Sequence, residues 1–441
     1  MQANRPRHAY RLSPRCSEIA RARAFAQRIH GRGVHGLMKT VKTKSRAREL
    51  MRAQMGDIYE EIRVAKAAGD PICYSTSNFA KELFEVMGIK VVYPENHAAA
   101  VAAKKGAELF CEKAESLGYS SDLCSYARIS IGFDERDEDF GHGLDIPAPD
   151  FLCVSNNICS TVNKWYENLA WKYDIPMIML DVPYSTQADY EPAKIEYVKS
   201  QLQGIVERLE EVTGRTFDYD RFQEVLETSS ENGRLFQEAM DLIGQTVPSP
   251  ASAFDEYNFM ALMIVARGKK ETTEALKLFI GELQERIAAD ETTFPGEERY
   301  RIMWDGLCCW PYLRQNSTSL AEKGINMVGT PYTGNYGTTF EDLYELCVSY
   351  SSTNNATGVQ IGADYRSGLL DRYQCDGVLC NVMRSCKPWV GIMFEMQRQL
   401  RNRFGLPYTM FDADQADPRV FSEAQFETRL QGLQEAMEAR S

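Results

Sequence analysis

Two hydrophobic rhythms alternate along this chain, and the points where one replaces the other mark its elements. Residues 1–69 are dominated by Ala, Arg, Lys and Glu, hold no proline after Pro14, and read as helix. From residue 71 short dense apolar runs take over. Ile72-Cys73-Tyr74 predicts a strand, Ser75-Thr76-Ser77-Asn78 a polar helix cap, and helical spacing over 79–87 the capped helix. A strand over 89–93 ends at Pro94, and a helix over 97–117 follows. Strands over 151–154 and 177–180 bracket a helix over 161–173. Residues 193–213 and 271–288 keep helical spacing with abundant Glu and Lys, punctuated between them by Pro248 and Pro250. The strand rhythm then returns at 302–304, 325–328, 377–380 and 408–411, and an amphipathic helix over 422–438 closes the chain. Strands alternating with helices predict an α/β protein with parallel sheets. The expected organisation is a basic helical segment (1–69), a first α/β domain (70–190), a helical connector (191–298) and a second α/β domain (299–441).

The two α/β halves resemble each other. Asp150-Phe-Leu-Cys-Val starts a strand, Cys159 lies nine residues after that Asp, and a helix and a Pro-led strand ending at Asp181 follow. Asp376-Gly-Val-Leu-Cys starts another strand, with Cys386 ten residues after its Asp, and a helix and a Pro-led strand ending at Asp412 follow. Any two βαβ units share such a rhythm. The sharper reading is that two similar domains each present a loop cysteine at the C-terminal edge of a sheet, where open α/β sheets place their ligands.

Charge and cysteine content narrow the chemistry. The net charge of −12 is uneven: residues 1–54 hold 14 Lys/Arg against 2 Asp/Glu, and the remaining 387 hold 36 against 60. So acidic a body lacks the basic surface of a dedicated nucleic-acid binder. The Arg-rich, acid-poor head suits either a transit peptide or a basic helical arm. The longest apolar run, 259–266, is far too short to span a membrane, and no apolar signal core follows the N-terminus. With no export signal, the twelve cysteines are expected to be reduced. There is no CxxC, and three of the five histidines lie in the head. The thiols are therefore buried hydrophobes or an iron–sulfur site gathered from distant segments. Cys73, Cys153, Cys375 and Cys380 lie on or beside strands and Cys111 within a helix, positions that suit a core. Cys124, Cys159 and Cys386 sit in loops or at helix starts with polar neighbours, positions that favour the metal-binding thiolate. Cys308-Cys309 are adjacent, a poor geometry for sharing one cluster. No Walker A or G-x-G-x-x-G motif is present, so no nucleotide is expected on this chain.

Several blocks, in order, carry a family resemblance. Tyr93-Pro-Glu-Asn-His-Ala-Ala99, Gly118-Tyr-Ser-Ser-Asp-Leu-Cys-Ser-Tyr-Ala-Arg128, Asn156-Asn-Ile-Cys159 with Lys164-Trp-Tyr-Glu-Asn168, Arg384-Ser-Cys-Lys387 and Asp412-Ala-Asp-Gln-Ala-Asp-Pro-Arg419 resemble motifs of the 2-hydroxyacyl-CoA dehydratase and benzoyl-CoA reductase family. The pattern is that of the larger, α-type subunit of a dehydratase, from about residue 55 to the C-terminus. The resemblance implies two flavodoxin-like domains and one [4Fe–4S] cluster on Cys124, Cys159 and Cys386, with one iron open to a non-protein ligand. It further implies elimination of water from an (R)-2-hydroxyacyl-CoA to a 2-enoyl-CoA through a ketyl radical anion, a related β-type subunit as heterodimer partner, and electrons from an ATP-dependent iron–sulfur activator. Oxygen sensitivity, cytoplasmic location and a place in anaerobic amino-acid fermentation go with it.

Within that frame Ser77, between strand and helix start, suits an oxyanion, or serves as a plain N-cap. Glu95 follows a strand and Pro94 at the same sheet edge and is the candidate for the departing hydroxyl or the β-proton. Its alternative is a carboxylate favouring the helix dipole. His97 is expected to be structural. Arg384 is placed to tune the cluster or pair with a carboxylate, and Tyr332, with Tyr336 in a loop bearing Gly329, Gly334 and Gly337, to line the acyl pocket. Gly268-Lys-Lys270 reads as a solvated turn more than as a CoA phosphate site. Asn381-Val-Met-Arg-Ser-Cys386 departs from the dehydratase pattern H-x-N-R-S-C, and Thr353-Asn-Asn355 resembles the reductases. An aryl-CoA-reducing subunit and a cluster-carrying electron-transfer protein without its own substrate are therefore the competing readings.

Overall fold

Strands Ile72–Ser75, Phe151–Ser155 and Ile325–Gly329 are buried at every position, as strands covered on both faces must be. The computed structural model describes residues 38–42, 44–186 and 191–440. Expectations about residues 1–37, including Cys16 and three histidines, lie outside the described residues. In chain order the strands are β1 (Lys39–Thr40), β2 (Ile72–Ser75), β3 (Lys90–Val92), β4 (Phe151–Ser155), β5 (Met177–Leu180), β6 (Glu291–Thr292), β7 (Tyr300–Asp305), β8 (Ile325–Gly329), β9 (Gly377–Met383) and β10 (Tyr408–Ala413).

Two four-stranded sheets hold eight of them, in the orders β3-β2-β4-β5 and β10-β9-β7-β8, all parallel. Counted within each half, both orders read 2-1-3-4, the flavodoxin-like winding. The expected α/β class with two parallel-sheet halves is what the chain adopts. The likeness between halves extends to hydrogen bonds. Asp150 accepts the Ile72 amide at 2.7 Å and donates its own amide to the Ile72 carbonyl at 2.8 Å. Asp376 makes the same pair with Arg301, at 2.8 and 2.7 Å. In each half an aspartate before the third strand clamps the start of the first.

Helices Pro192–Thr213, Tyr219–Gln245, Glu256–Val265 and Lys270–Ala288 form the layer between the sheets in sequence. Helix Arg46–Ala67 packs on Lys270–Ala288. Three expectations needed correction. Residues 38–42 are not helical: Lys39 and Val41 donate to Asp290 and Thr292 carbonyls, both at 2.8 Å, so pairing of β1 with β6 overrides the helical composition. The single helix over 97–117 is two, Pro94–Ala103 and Ala107–Ser116. The break falls at Lys105, which has φ +67°, and Gly106, where a Cβ would sit 2.5 Å from the Phe140 ring. Helix Ser125–Asp134 was not expected: nine of its ten residues are buried, polar Ser125, Arg128 and Ser130 among them, so no apolar stripe marks it, while Glu256–Val265, apolar nearly all round, falls within the helical connector.

Helix Ser125–Asp134 crosses Ala107–Ser116 closely at Gly132, where a Cβ would lie 2.0 Å from the Phe110 carbonyl oxygen. That approach sets the position of the helix start at Cys124. Gly132→Ala is expected to destabilise the fold by about 1–3 kcal/mol, the usual overpacking penalty, measured as a lower denaturation midpoint.

Candidate active site

Each of the three loop cysteines is the residue immediately before a helix. Cys124 precedes Ser125–Asp134, Cys159 precedes Ser160–Tyr173, and Cys386 precedes Lys387–Phe404. All three are partly exposed, whereas the other eight described cysteines are buried. The thiols adjoin closely enough for their charges to interact. Cys124 is raised to about 12 by burial first and then by Cys159 and Asp414. Cys386 is pushed well above its ordinary range by burial, then by Cys124 and by Cys159. Burial also raises Cys159, and the amides of Val162 and Thr161 oppose it. The Val162 amide donates to Cys159 Sγ at 3.4 Å. Three helix N-termini, each carrying partial positive charge, thus meet at three sulfurs.

Among the described residues no group of three or more His, Cys, Asp or Glu side chains closes around a single metal ion. Three soft thiols from distant loops fit a multi-iron cluster instead, where each sulfur takes a different iron. A bound cation would also supply the positive charge that three neighbouring thiolates lack.

The loops are fastened by buried polar groups. Ser385 Oγ accepts the Ser125 amide at 3.0 Å and donates to Asp414 at 2.5 Å. Asp414 also accepts the amides of Ser385, Ala416 and Asp417, at 3.1, 2.9 and 3.0 Å. Gln415 Nε2 reaches Ser385 Oγ at 3.1 Å and Cys124 Sγ at 3.5 Å, while its Oε1 is buried without a protein partner. Arg128 donates to the Leu123 carbonyl at 2.9 Å and pairs with Glu115 and Asp417. The block Asp412–Arg419 was visible as a motif, but the parts played by Asp414, Gln415 and Ser385 were not.

The second half of the site lies at the ends of β2 and β8. Ser77, just past β2, donates its amide to Glu95 Oε2 at 2.6 Å. Glu95, in the first turn of Pro94–Ala103, is 9% exposed. Burial raises it to about 7, and the Ser77 amide and hydroxyl and Lys81 pull the other way. Its charge is felt at Cys159. The Tyr332 and Tyr336 rings meet edge-on at 6.1 Å, and burial pushes the Tyr336 phenol up to about 12, with Ser77 and Tyr332 opposing the shift. Ser77, Glu95, Tyr332 and Tyr336 therefore form one cluster. Arg384 lies elsewhere: its guanidinium pairs with Asp412 at 2.8 Å and is 62% exposed. His97 is buried, bonds the Leu144 carbonyl at 2.7 Å and is driven down to about 4 by burial, as suits a neutral core histidine. Gly268 takes φ +89° and Lys269 pairs with Glu85 at 3.5 Å, a charged turn.

Comparison with known proteins shows the family. The family described as 2-hydroxyglutaryl-CoA dehydratase, D-component, matches residues 76–437. The (R)-2-hydroxyisocaproyl-CoA dehydratase alpha subunit of Clostridioides difficile is 45% identical over 90% of this chain and 97% of its own. The (R)-phenyllactyl-CoA dehydratase alpha subunit of Clostridium sporogenes is 40% identical over 91% and 98%. A benzoyl-CoA reductase chain of Thauera aromatica, its B subunit, is 28% identical over 85% and 90%. The chain belongs to the 2-hydroxyglutaryl-CoA dehydratase D-component family. Within it the chain is an α-type subunit of the dehydratase, hydro-lyase, kind. No helix among the described residues is long and apolar enough to cross a membrane.

The raised Glu95 has a signature in stability. Its folded form binds a proton more tightly than the unfolded chain, so stability falls as pH rises from about 4.5, the ordinary value, to about 7. Glu95→Gln removes that term. Relative to wild type, its unfolding free energy is expected to climb by about 3 kcal/mol across that window and to level off above it, measured by denaturant titration at a series of pH values.

Proposed function

We propose that this chain is the [4Fe–4S]-bearing subunit of an (R)-2-hydroxyacyl-CoA dehydratase. The observation that carries the reading is the gathering of three helix-start thiols beside the Ser77–Glu95–Tyr336 cluster. Cys124, Cys159 and Cys386 would hold the cluster. When bound, it supplies one-electron reduction of the thioester carbonyl to a ketyl radical anion, the electron being recovered at the end of the cycle. The chain's own residues do the rest. The Ser77 hydroxyl and the Tyr336 phenol are donors for the oxygen on which negative charge develops. The Glu95 carboxylate takes the β-proton and hands it to the departed hydroxide, so that water leaves and the carboxylate returns. A base with affinity near neutrality suits that exchange. Tyr332, which packs on Tyr336 with rings 6.1 Å apart, would line the acyl pocket.

The partners follow from the same reading: an acyl-CoA thioester as substrate, a related β-type subunit, and an ATP-dependent iron–sulfur activator, with nucleic acid and membrane playing no part. The setting is the cytoplasm of an anaerobically fermenting cell. The reductase reading draws on Asn381 and on the likeness to benzoyl-CoA reductase. Asn381, however, spends its amide on the Leu307 carbonyl, at 2.9 Å inside β9. The higher identities belong to dehydratase subunits. A cluster carrier without substrate gives no reason for a buried carboxyl poised near neutrality.

The test uses the chain purified anaerobically with its partner. Cys159→Ala is expected to lose cluster iron and its EPR signal. Glu95→Gln is expected to keep the iron and lose about 10²–10⁴-fold in dehydration rate. Many turnovers on trace reductant exclude the reductase reading, and an electron consumed per product would overturn ours. Full iron retention in Cys159→Ala would remove the cluster assignment.

A further inference from the structure

Lys81 occupies a place that protein architecture normally denies to lysine. It is 5% exposed and begins helix Lys81–Met87, the end of a helix that repels cations. Buried lysines are rare unless paired with a carboxylate, and among the described residues none lies within ion-pair distance of Lys81 Nζ. Neighbouring Glu82 is already held by Ser229 at 2.5 Å, Tyr350 at 2.8 Å and Arg267 at 3.5 Å. The ammonium instead donates to the Ser77 carbonyl at 2.7 Å and to the Met263 carbonyl at 3.5 Å. It lies 5.6 Å from the Tyr93 ring centre and 5.7 Å from that of Tyr336.

The Ser77 bond matters because of what Ser77 does with its other peptide group. Its carbonyl takes the Lys81 ammonium while its amide gives to the Glu95 carboxylate. Cation and carboxylate are thus tied by charge-assisted bonds to the two peptide groups that flank the Ser77 Cα, in a water-poor interior where their attraction is little screened. We propose that Lys81 is a positioning residue of this site: its ammonium pins the Ser77 turn beneath Tyr336 and supplies the counter-charge that keeps Glu95 available as a carboxylate. The proposal deepens the dehydratase reading and rests on Glu95 serving as its base.

The surroundings leave these two groups to balance each other. Lys81 faces Glu82 and Glu95, which favour its charge, and Arg267, which opposes it. Glu95 faces Ser77 and Lys81, and its charge is felt by Cys159, Tyr166, Tyr332 and Tyr336. Burial brings Lys81 down to about 7 and Glu95 up to about 7. Burial thus opposes the charge of both groups, and Glu82 together with attraction across Ser77 opposes burial.

The experiment compares wild type, Lys81→Met, Lys81→Gln, Lys81→Arg and Glu95→Gln, each purified anaerobically with the partner subunit and assayed for iron. Infrared difference spectra recorded against pH follow the protonated-carboxyl band that is missing in Glu95→Gln. In Lys81→Met and Lys81→Gln the midpoint of that band is expected to move up by about one unit, a tenfold change in proton affinity. Lys81→Arg is expected to restore it. With (R)-2-hydroxyacyl-CoA, the acid limb of kcat/KM should move by the same step at unchanged iron content. An unmoved midpoint in both uncharged variants overturns the proposal, as does a shift that Lys81→Arg shares in full. If Lys81→Met fails to fold, Lys81→Gln, which keeps a donor for the Ser77 carbonyl, answers the same question. A shifted band in a protein that dehydrates no hydroxyacyl-CoA would leave the Lys81–Glu95 coupling standing and sink the reaction assigned above.

Discussion

The Ser385 hydroxyl accepts the amide of Ser125 and donates to the carboxylate of Asp414, and those two bonds fasten the Cys124 loop to the Cys386 loop. Residues 260 positions apart in the chain are joined by one buried oxygen. The carboxylate behind it is satisfied in turn by two backbone amides of its own turn, Ala416 and Asp417, and by the Ser385 amide. Nothing in such a network is dispensable, because a buried polar group that loses its partner bears the whole desolvation cost. The Arg128 pairs with Glu115 and Asp417 repeat the device one layer out. Geometry at the thiols is thus set by hydrogen bonds across the seam between the two α/β halves, with the sheets as rigid backing.

Both sheets have their reversal of strand order between the first and third strands, β2 against β4 and β7 against β9. Chains leaving adjacent parallel strands at such a point diverge and open a crevice. Ser77 follows β2, Cys159 follows β4 and Cys386 follows β9, so three of the site's groups come from the two reversal points. Tyr332 and Tyr336 come from the turn after the edge strand β8. Cys124 alone comes from no strand end. It belongs to the long β3–β4 crossover, whose extra helices Ala107–Ser116 and Ser125–Asp134 carry it to the others. The close contact at Gly132 is therefore as much a part of the site as the cysteine it positions.

How much of this the amino-acid sequence disclosed follows from what each signal depends on. The strands were legible because burial on both faces makes them short apolar runs. The doubled pattern around Asp150 and Asp376 was legible because each clamp needs an aspartate at one fixed offset from its strand. The thiols divided correctly into partly exposed and core sets because loop position and burial travel together. Helix Ser125–Asp134 was hidden because nine of its ten residues are buried, which erases periodicity. Arg384 drew attention by sequence proximity to Cys386, but β9 ends at Met383 and the chain turns there, the Cys386 amide bonding back to the Met383 carbonyl, while the Arg384 side chain reaches out to Asp412 and solvent. Lys81 was invisible for the converse reason. A Lys-Glu pair at a helix start looks solvated in sequence, and only tertiary packing of Tyr93, Tyr336 and the Ser77 turn buries it.

Burial of ionisable groups at this site has a common logic. Apolar surroundings push the thiols and Glu95 towards their protonated forms and Lys81 towards its neutral one. Each group retains a useful charged form only through a specific opposing contact: helix amides for the sulfurs, the Ser77 amide for Glu95, and Glu82 and Glu95 for Lys81. Such a site is sensitive to single contacts in a way that a solvated one is not, since water cannot replace a lost partner. That sensitivity suits chemistry in which a proton leaves one atom and reaches another without passing through bulk water. It also explains why Ser77 is worth more than an ordinary helix cap. Its carbonyl takes Lys81 and its amide gives to Glu95, so that moving either partner disturbs the other.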